Sequence, residues 1–121
     1  MLKRTSISVF RVGSYCQLAS DIRQEREALA RRILEGDGKV SPSERRAAFN
    51  NSGLAEPLGT LVDKVARHAD RVIDEDIAAA RESGHSEDQV FEVVVCAAIG
   101  QAARQYEAAI AALEAAATGK E

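Results

Sequence analysis

The chain has 121 residues, two prolines, no tryptophan and a formal charge of -3 at neutral pH, which bounds it to one modest domain and favours helices over a β-sandwich. That acidic balance lacks the basic face needed for sequence-independent nucleic-acid binding, so no nucleic-acid partner is expected. No apolar run approaches the ~18 residues of a membrane span; Cys16 and Cys96 belong to no Cys-x-x-Cys or Cys/His cluster, so neither a zinc site nor a disulfide framework is indicated and a cytoplasmic setting fits.

Residues 1–20 carry Lys3, Arg4 and Arg11 with no acid before Asp21. This faintly matches a transit peptide, but no cleavage site is evident, and the alternation of Ile7, Val9 and Arg11 suits a short extended arm. A single helical domain is expected over residues 21–117. Its first helix starts at Ser20 or Asp21 and runs to Glu35, with Ile22, Leu29 and Ile33 on one face and Gly36 as C-terminal cap. Ser41-Pro42-Ser43-Glu44 then gives a cap, a proline at the first helical position and a glutamate that reaches back. The helix it opens carries Ala47, Ala48 and Phe49 and ends at Asn50-Asn51-Ser52-Gly53. The pairs Arg31-Arg32 and Arg45-Arg46 sit among glutamates and read as solvated mixed-charge faces.

Pro57 and Leu58 open the next helix, where Leu61, Val65, Ala69 and Val72 line one face up to a break near Val72 to Asp74. Asp74-Glu75-Asp76 is an acidic start for a short helix that stops at Gly84. Ser86-Glu87-Asp88-Gln89 forms a capping box for what should be the longest helix. From Val90 to Ile99 its only charge is Glu92, which predicts burial nearly all round. Beyond Gly100 the pattern thins to Ala102, Tyr106, Ala109, Ile110 and Leu113. The run Val90 to Val95 alone suits a strand, but the capping box before it and the alanine-rich stretch after it favour helix.

The segments Leu61-Val62-Asp63-Lys64-Val65-Ala66, Asp74 to Ala80, and Gly84-His85-Ser86-Glu87-Asp88-Gln89-Val90-Phe91-Glu92-Val93-Val94 resemble the alkylhydroperoxidase D-like, or carboxymuconolactone decarboxylase, family. The resembling segment, residues 57–113, covers a little under half of the chain. The resemblance implies an all-α, alkylhydroperoxidase D-like helical bundle that forms a homo-oligomer with pockets near subunit contacts. It also implies either thiol-based peroxide chemistry or cofactor-free decarboxylation. The thiol branch places two cysteines and a histidine near Ala69, Val72 and Asp76 of this chain. None is present, so the peroxidase cycle does not transfer, since it needs both an attacking and a resolving thiol.

Three side chains are candidate polar contacts for a small-molecule ligand: His68, at the edge of the apolar stripe; Glu75, in the acidic start; and Tyr106, near an expected interface. Cys96, inside the most apolar stretch, reads as structural, and His85 as a solvent-facing loop residue. Glu82-Ser83-Gly84-His85 has the Glu-x-x-His spacing of di-iron bundles, but Gly84 ends the helix between them and no second copy exists, so no metal and no cofactor are expected. Two functions follow: a cofactor-free enzyme or small-molecule binder at a subunit interface, or a non-catalytic oligomeric scaffold or partner-binding protein. A cavity receiving His68 or an acid favours the first, and those side chains in solvent favour the second.

Overall fold

The computed structural model describes the backbone of residues 2–118 and the side chains of residues 17, 18 and 20–118. Five helices follow one another: α1 (Leu2–Glu35), α2 (Pro42–Asn50), α3 (Leu58–Arg67), α4 (Asp74–Glu82) and α5 (Glu87–Ala117), with one 3-10 turn at Ala69–Arg71. No strand occurs among the described residues, so Val90 to Val95 is helical. None of the described helices is long and apolar enough to cross a membrane. The chain divides into two compact units, one reaching to Arg32 and the other starting at Ile33.

The first unit is a length of α1 alone. The extended arm expected over residues 1–20 is corrected: from Leu2 the backbone is already helical. No proline interrupts this stretch, and its β-branched residues each cost a helix only a few tenths of a kcal/mol. With 34 residues α1 also exceeds the 31 of α5, so the helix after Ser86 is not the longest. Leu18, Ile22 and Leu29 follow at steps of four and seven, which puts them on one helix face, and they remain 52%, 40% and 40% exposed.

The second unit holds the core, built from Val40, Ala48, Leu58, Leu61, Val62, Ala80, Val90, Val93, Cys96 and Ala97. Helices α2 and α3 pack on α5, and α4 bridges α3 and α5. The start signals read from the sequence act as expected. Ser41 Oγ accepts the Glu44 N–H at 3.2 Å and Pro42 opens α2. Ser86 Oγ accepts the Gln89 N–H at 3.1 Å while Gln89 Oε1 accepts the Ser86 N–H at 2.8 Å. Asn51 ends α2 in the left-handed region (φ 53°), and Gly84 (φ 109°) turns the chain from α4 into α5, a conformation glycine adopts without steric cost. The break after α3 comes earlier than expected, at His68, whose φ of -145° leaves the helix. Val65 and Val72 still pack on the core, but Ala69 is exposed.

Two charged side chains fasten the connection from α1 to α2. Arg45, expected in solvent, is instead 5% exposed. Its Nε donates to Val40 O at 3.0 Å, and one terminal nitrogen donates to Ile33 O at 3.0 Å and Gly36 O at 2.7 Å. From α5 the Glu92 carboxylate accepts the Lys39 N–H at 2.9 and 3.0 Å. The loop's carbonyls and amides thus find one cationic donor and one anionic acceptor, side chains that take the place of the partners a helix or strand would supply.

Candidate functional site

The three sequence candidates lie on different elements: His68 at the end of α3, Glu75 in α4 and Tyr106 in α5. His68 caps the end of α3, where its N–H donates to Lys64 O at 2.7 Å, and its residue is exposed. Glu75 lies exposed in the first turn of α4, and Tyr106 is half-buried on α5. Asp76, beside Glu75, accepts the Ile73 N–H at 2.9 Å and both carboxylate oxygens take Lys64 Nζ, at 2.9 and 3.0 Å. The Ile73 N–H first, and the lysine second, hold the Asp76 carboxyl below its ordinary range. A carboxylate held ionised this way ties α3 to α4 and is a poor proton carrier at neutral pH.

Neither of the two described cavities takes His68, Glu75 or Tyr106. One, of about 220 Å³, sits over the α2–α3 loop at Asn51, Glu56 and Asp63. Its polar groups are already engaged: Asn51 Nδ2 donates to Asp63 at 3.0 Å, and Glu56 accepts the Thr60 N–H and hydroxyl. The other is a surface groove of about 570 Å³ where α4 meets α5, lined by Arg81, Glu82, His85, Ser86 and Gln89 among others. Arg81 faces Glu87 at 3.5 Å, and the capping box uses the polar groups of Ser86 and Gln89.

His85 is less solvent-facing than its loop position implied, with its side chain 23% exposed. Nδ1 lies 3.0 Å from Ser83 Oγ, and Nε2 lies 3.8 Å from Glu44 Oε2. A hydroxyl, imidazole and carboxylate in sequence suggest a nucleophile, but Ser83 Oγ donates its proton to Ala80 O at 2.7 Å. Its hydroxyl therefore closes the end of α4, and the imidazole N–H donates to it. Among the described residues no group of three or more His, Cys, Asp or Glu could hold a metal. Cys96 is 1% exposed, and burial pushes its thiol up, against a smaller lowering by Arg45. A raised thiol carries little thiolate and is chemically quiet. The side chain of Cys16 lies outside the described residues.

What the second unit does present is the outer face of α5. One side, with Val90, Val93, Cys96, Ala97 and Gly100, is buried. The burial nearly all round that the sequence suggested is therefore corrected, because α2 and α3 cover a single face. On the opposite side Phe91, Ala98, Ala102, Ala109 and Leu113 recur at steps of seven and four, the spacing of one helix face. All five are exposed, Phe91 by 69% and Leu113 by 65%, with half-buried Val95 between the first two. No charged residue interrupts that stripe. Sequence reasoning saw the stripe beyond Gly100 but not its continuation through Phe91; the spacing of 91, 98 and 102 was the available signal. Comparison of the chain with known protein families, curated proteins and solved structures finds no match.

Proposed function

We propose that this chain is a non-catalytic, partner-binding module that assembles with other chains through the outer face of α5. The observation that carries the reading is the uncharged stripe from Phe91 to Leu113, with its two largest side chains 69% and 65% exposed. A large phenylalanine held in water on a rigid helix recovers its apolar transfer energy only when another surface covers it. The candidates for the rival reading support this one by their placement: His68 and Glu75 face solvent, and no described cavity receives them. Homo-oligomerisation, implied by the family resemblance, is the simplest form of such assembly.

Light scattering after size exclusion tests this. The wild type should elute at a multiple of the 13.0 kDa chain mass. Phe91→Asp, which changes an exposed residue, should fall to the single-chain mass with its helical circular dichroism intact. A wild type at single-chain mass at micromolar concentration contradicts the proposal, as does an undiminished mass in the variant.

A further inference from the structure

The exposed side of α5 is arranged about its own midpoint. That midpoint is Ala102, fifteen residues from Glu87 at one end of the helix and fifteen from Ala117 at the other. Positions 4, 7 and 11 residues to either side of it hold Ala98 and Tyr106, Val95 and Ala109, and Phe91 and Leu113. Those steps are close to one, two and three helical turns, so all seven residues share one face. Phe91 and Leu113, at the two ends of the stripe, are 69% and 65% exposed, and Ala98, Ala102 and Ala109 are exposed between them.

Building on the docking role proposed for this face, we infer that its occupant is the same face of a second copy, laid antiparallel about a two-fold axis at Ala102. A two-fold contact needs a self-complementary surface, and the stripe supplies one. Phe91 meets the partner's Leu113, Val95 the partner's Ala109, Tyr106 the partner's Ala98, and Ala102 the partner's Ala102. Inside the seam each larger side chain lies over an alanine, which lets the two helices interdigitate. Helices that cross at about 20° with axes about 8 Å apart stand about 10 Å apart at the ends of a stripe about 33 Å long. The largest pair, Phe91 with the partner's Leu113, falls at those wider ends. A parallel pairing fails on size, because Tyr106 would meet the partner's Tyr106 one turn from a pair of alanines.

Charge permits the contact. Of the charged residues of α5, Glu92 is turned to the Lys39 N–H and Arg104 to the Phe49 carbonyl. Glu107 and Glu114 follow buried Gly100 at steps of seven, on the side of the helix away from the stripe. Glu87 and Asp88 come opposite the end of the partner's helix, and both are paired within their own chain, with Arg81 at 3.5 Å and Lys39 at 3.1 Å. The antiparallel direction also sets the positive end of each helix dipole beside the negative end of the other.

Area sets the strength. The two helices overlap along about 45 Å, so a seam about 10 Å wide buries roughly 900 Å² counted on both copies. That is the size of a reversible contact rather than a permanent one, and the dimer should form and dissociate with concentration.

Cross-linking tests the register in a Cys16→Ser background, which leaves only buried Cys96. Under mild oxidation Ala102→Cys should give a disulfide-linked dimer, because the axis brings position 102 of both copies together. Ala109→Cys should not, since the two 109 positions stand about 21 Å apart along the seam. Cross-linking at both positions would mean a parallel pairing; at neither, in a chain that still assembles, would mean that something other than α5 covers the face. Either result overturns this inference and leaves assembly through α5 standing, whereas a chain that stays single throughout overturns both. A second measurement uses the dimer dissociation constant. Phe91→Asp and Leu113→Lys should each raise it about tenfold or more. The double variant Phe91→Asp/Leu113→Lys puts opposite charges face to face at both ends, and should bind about tenfold tighter than either single variant. A double variant no tighter than the single ones would defeat the antiparallel assignment.

Discussion

Gly100 sets how closely α2 can approach α5. A Cβ added there would run into the Phe49 carbonyl, and because the obstacle is backbone it cannot rotate aside. Arg104, one turn on, donates to the same carbonyl at 2.6 Å, so the end of α2 is fixed by contact and by a cation at the negative end of its dipole. Gly100→Ala should therefore destabilise the chain by about 1–3 kcal/mol, the cost of overpacking a filled site, against the small gain alanine normally brings a helix. Urea unfolding would check it, and an equal or higher midpoint would mean that the helices separate freely. Arg45 gives a second test. Arg45→Met keeps bulk but leaves the buried Val40 bond and the half-buried Ile33 and Gly36 bonds without their donor, and a loss of about 1–3 kcal/mol is expected from acceptors left unsatisfied.

Asp76 makes stability depend on pH with a definite sign. Its folded-state pKa is lowered, by the Ile73 N–H and then by Lys64. The stabilisation it gives is therefore fully present above the ordinary carboxylate range, near pH 4, and is lost as pH falls below that range through the folded value. Asp76→Asn should lower the urea midpoint at pH 7, and the gap from wild type should narrow toward pH 3. A gap that stayed constant would show that the carboxylate charge is not what joins α3 to α4.

At the scale of elements, the helices of the second unit were legible where local chemistry sets them. Ser41-Pro42 and Ser86 to Gln89 carry their own hydrogen-bond partners within one turn, so their caps could be read without tertiary knowledge. Ser86→Ala should accordingly cost about 0.5–2 kcal/mol, measurable by thermal or urea unfolding, with fraying of the first turn of α5. What the sequence hid depended on distant partners. Arg45 looks like any exposed arginine beside Arg46 until the loop at Gly36 to Val40 brings carbonyls to it. Its position three residues before buried Ala48, on the same helix face, was the clue. Likewise Glu92, the lone charge of an apolar run, was noticeable, but its target amide at Lys39 is 53 residues away in sequence. The helical start at Leu2 went against a local alternation of apolar and charged residues too short to specify a strand.

The whole molecule is best described by how its surfaces are divided. The second unit buries one side of α5 and leaves the other, from Phe91 to Leu113, uncharged and exposed. The functional candidates His68, Glu75 and Tyr106 were individually visible in the sequence. That neither described cavity takes them was not, because a cavity is a property of the folded chain. Function on this account resides in coverage of a face: the energy available from burying Phe91 is on the order of 1.5–3 kcal/mol per copy, enough for one side chain to govern the strength of assembly.

The most direct measurement of that claim is the solvent exposure of Phe91 as a function of protein concentration. A fluorine label on phenylalanine, read with a soluble paramagnetic relaxation agent, reports it for the full chain. Phe91 should be strongly relaxed in dilute solution and shielded as concentration rises, in step with the increase in mass, while Phe49, half-buried against the core, should not change. Phe91 equally exposed at every concentration would contradict the account.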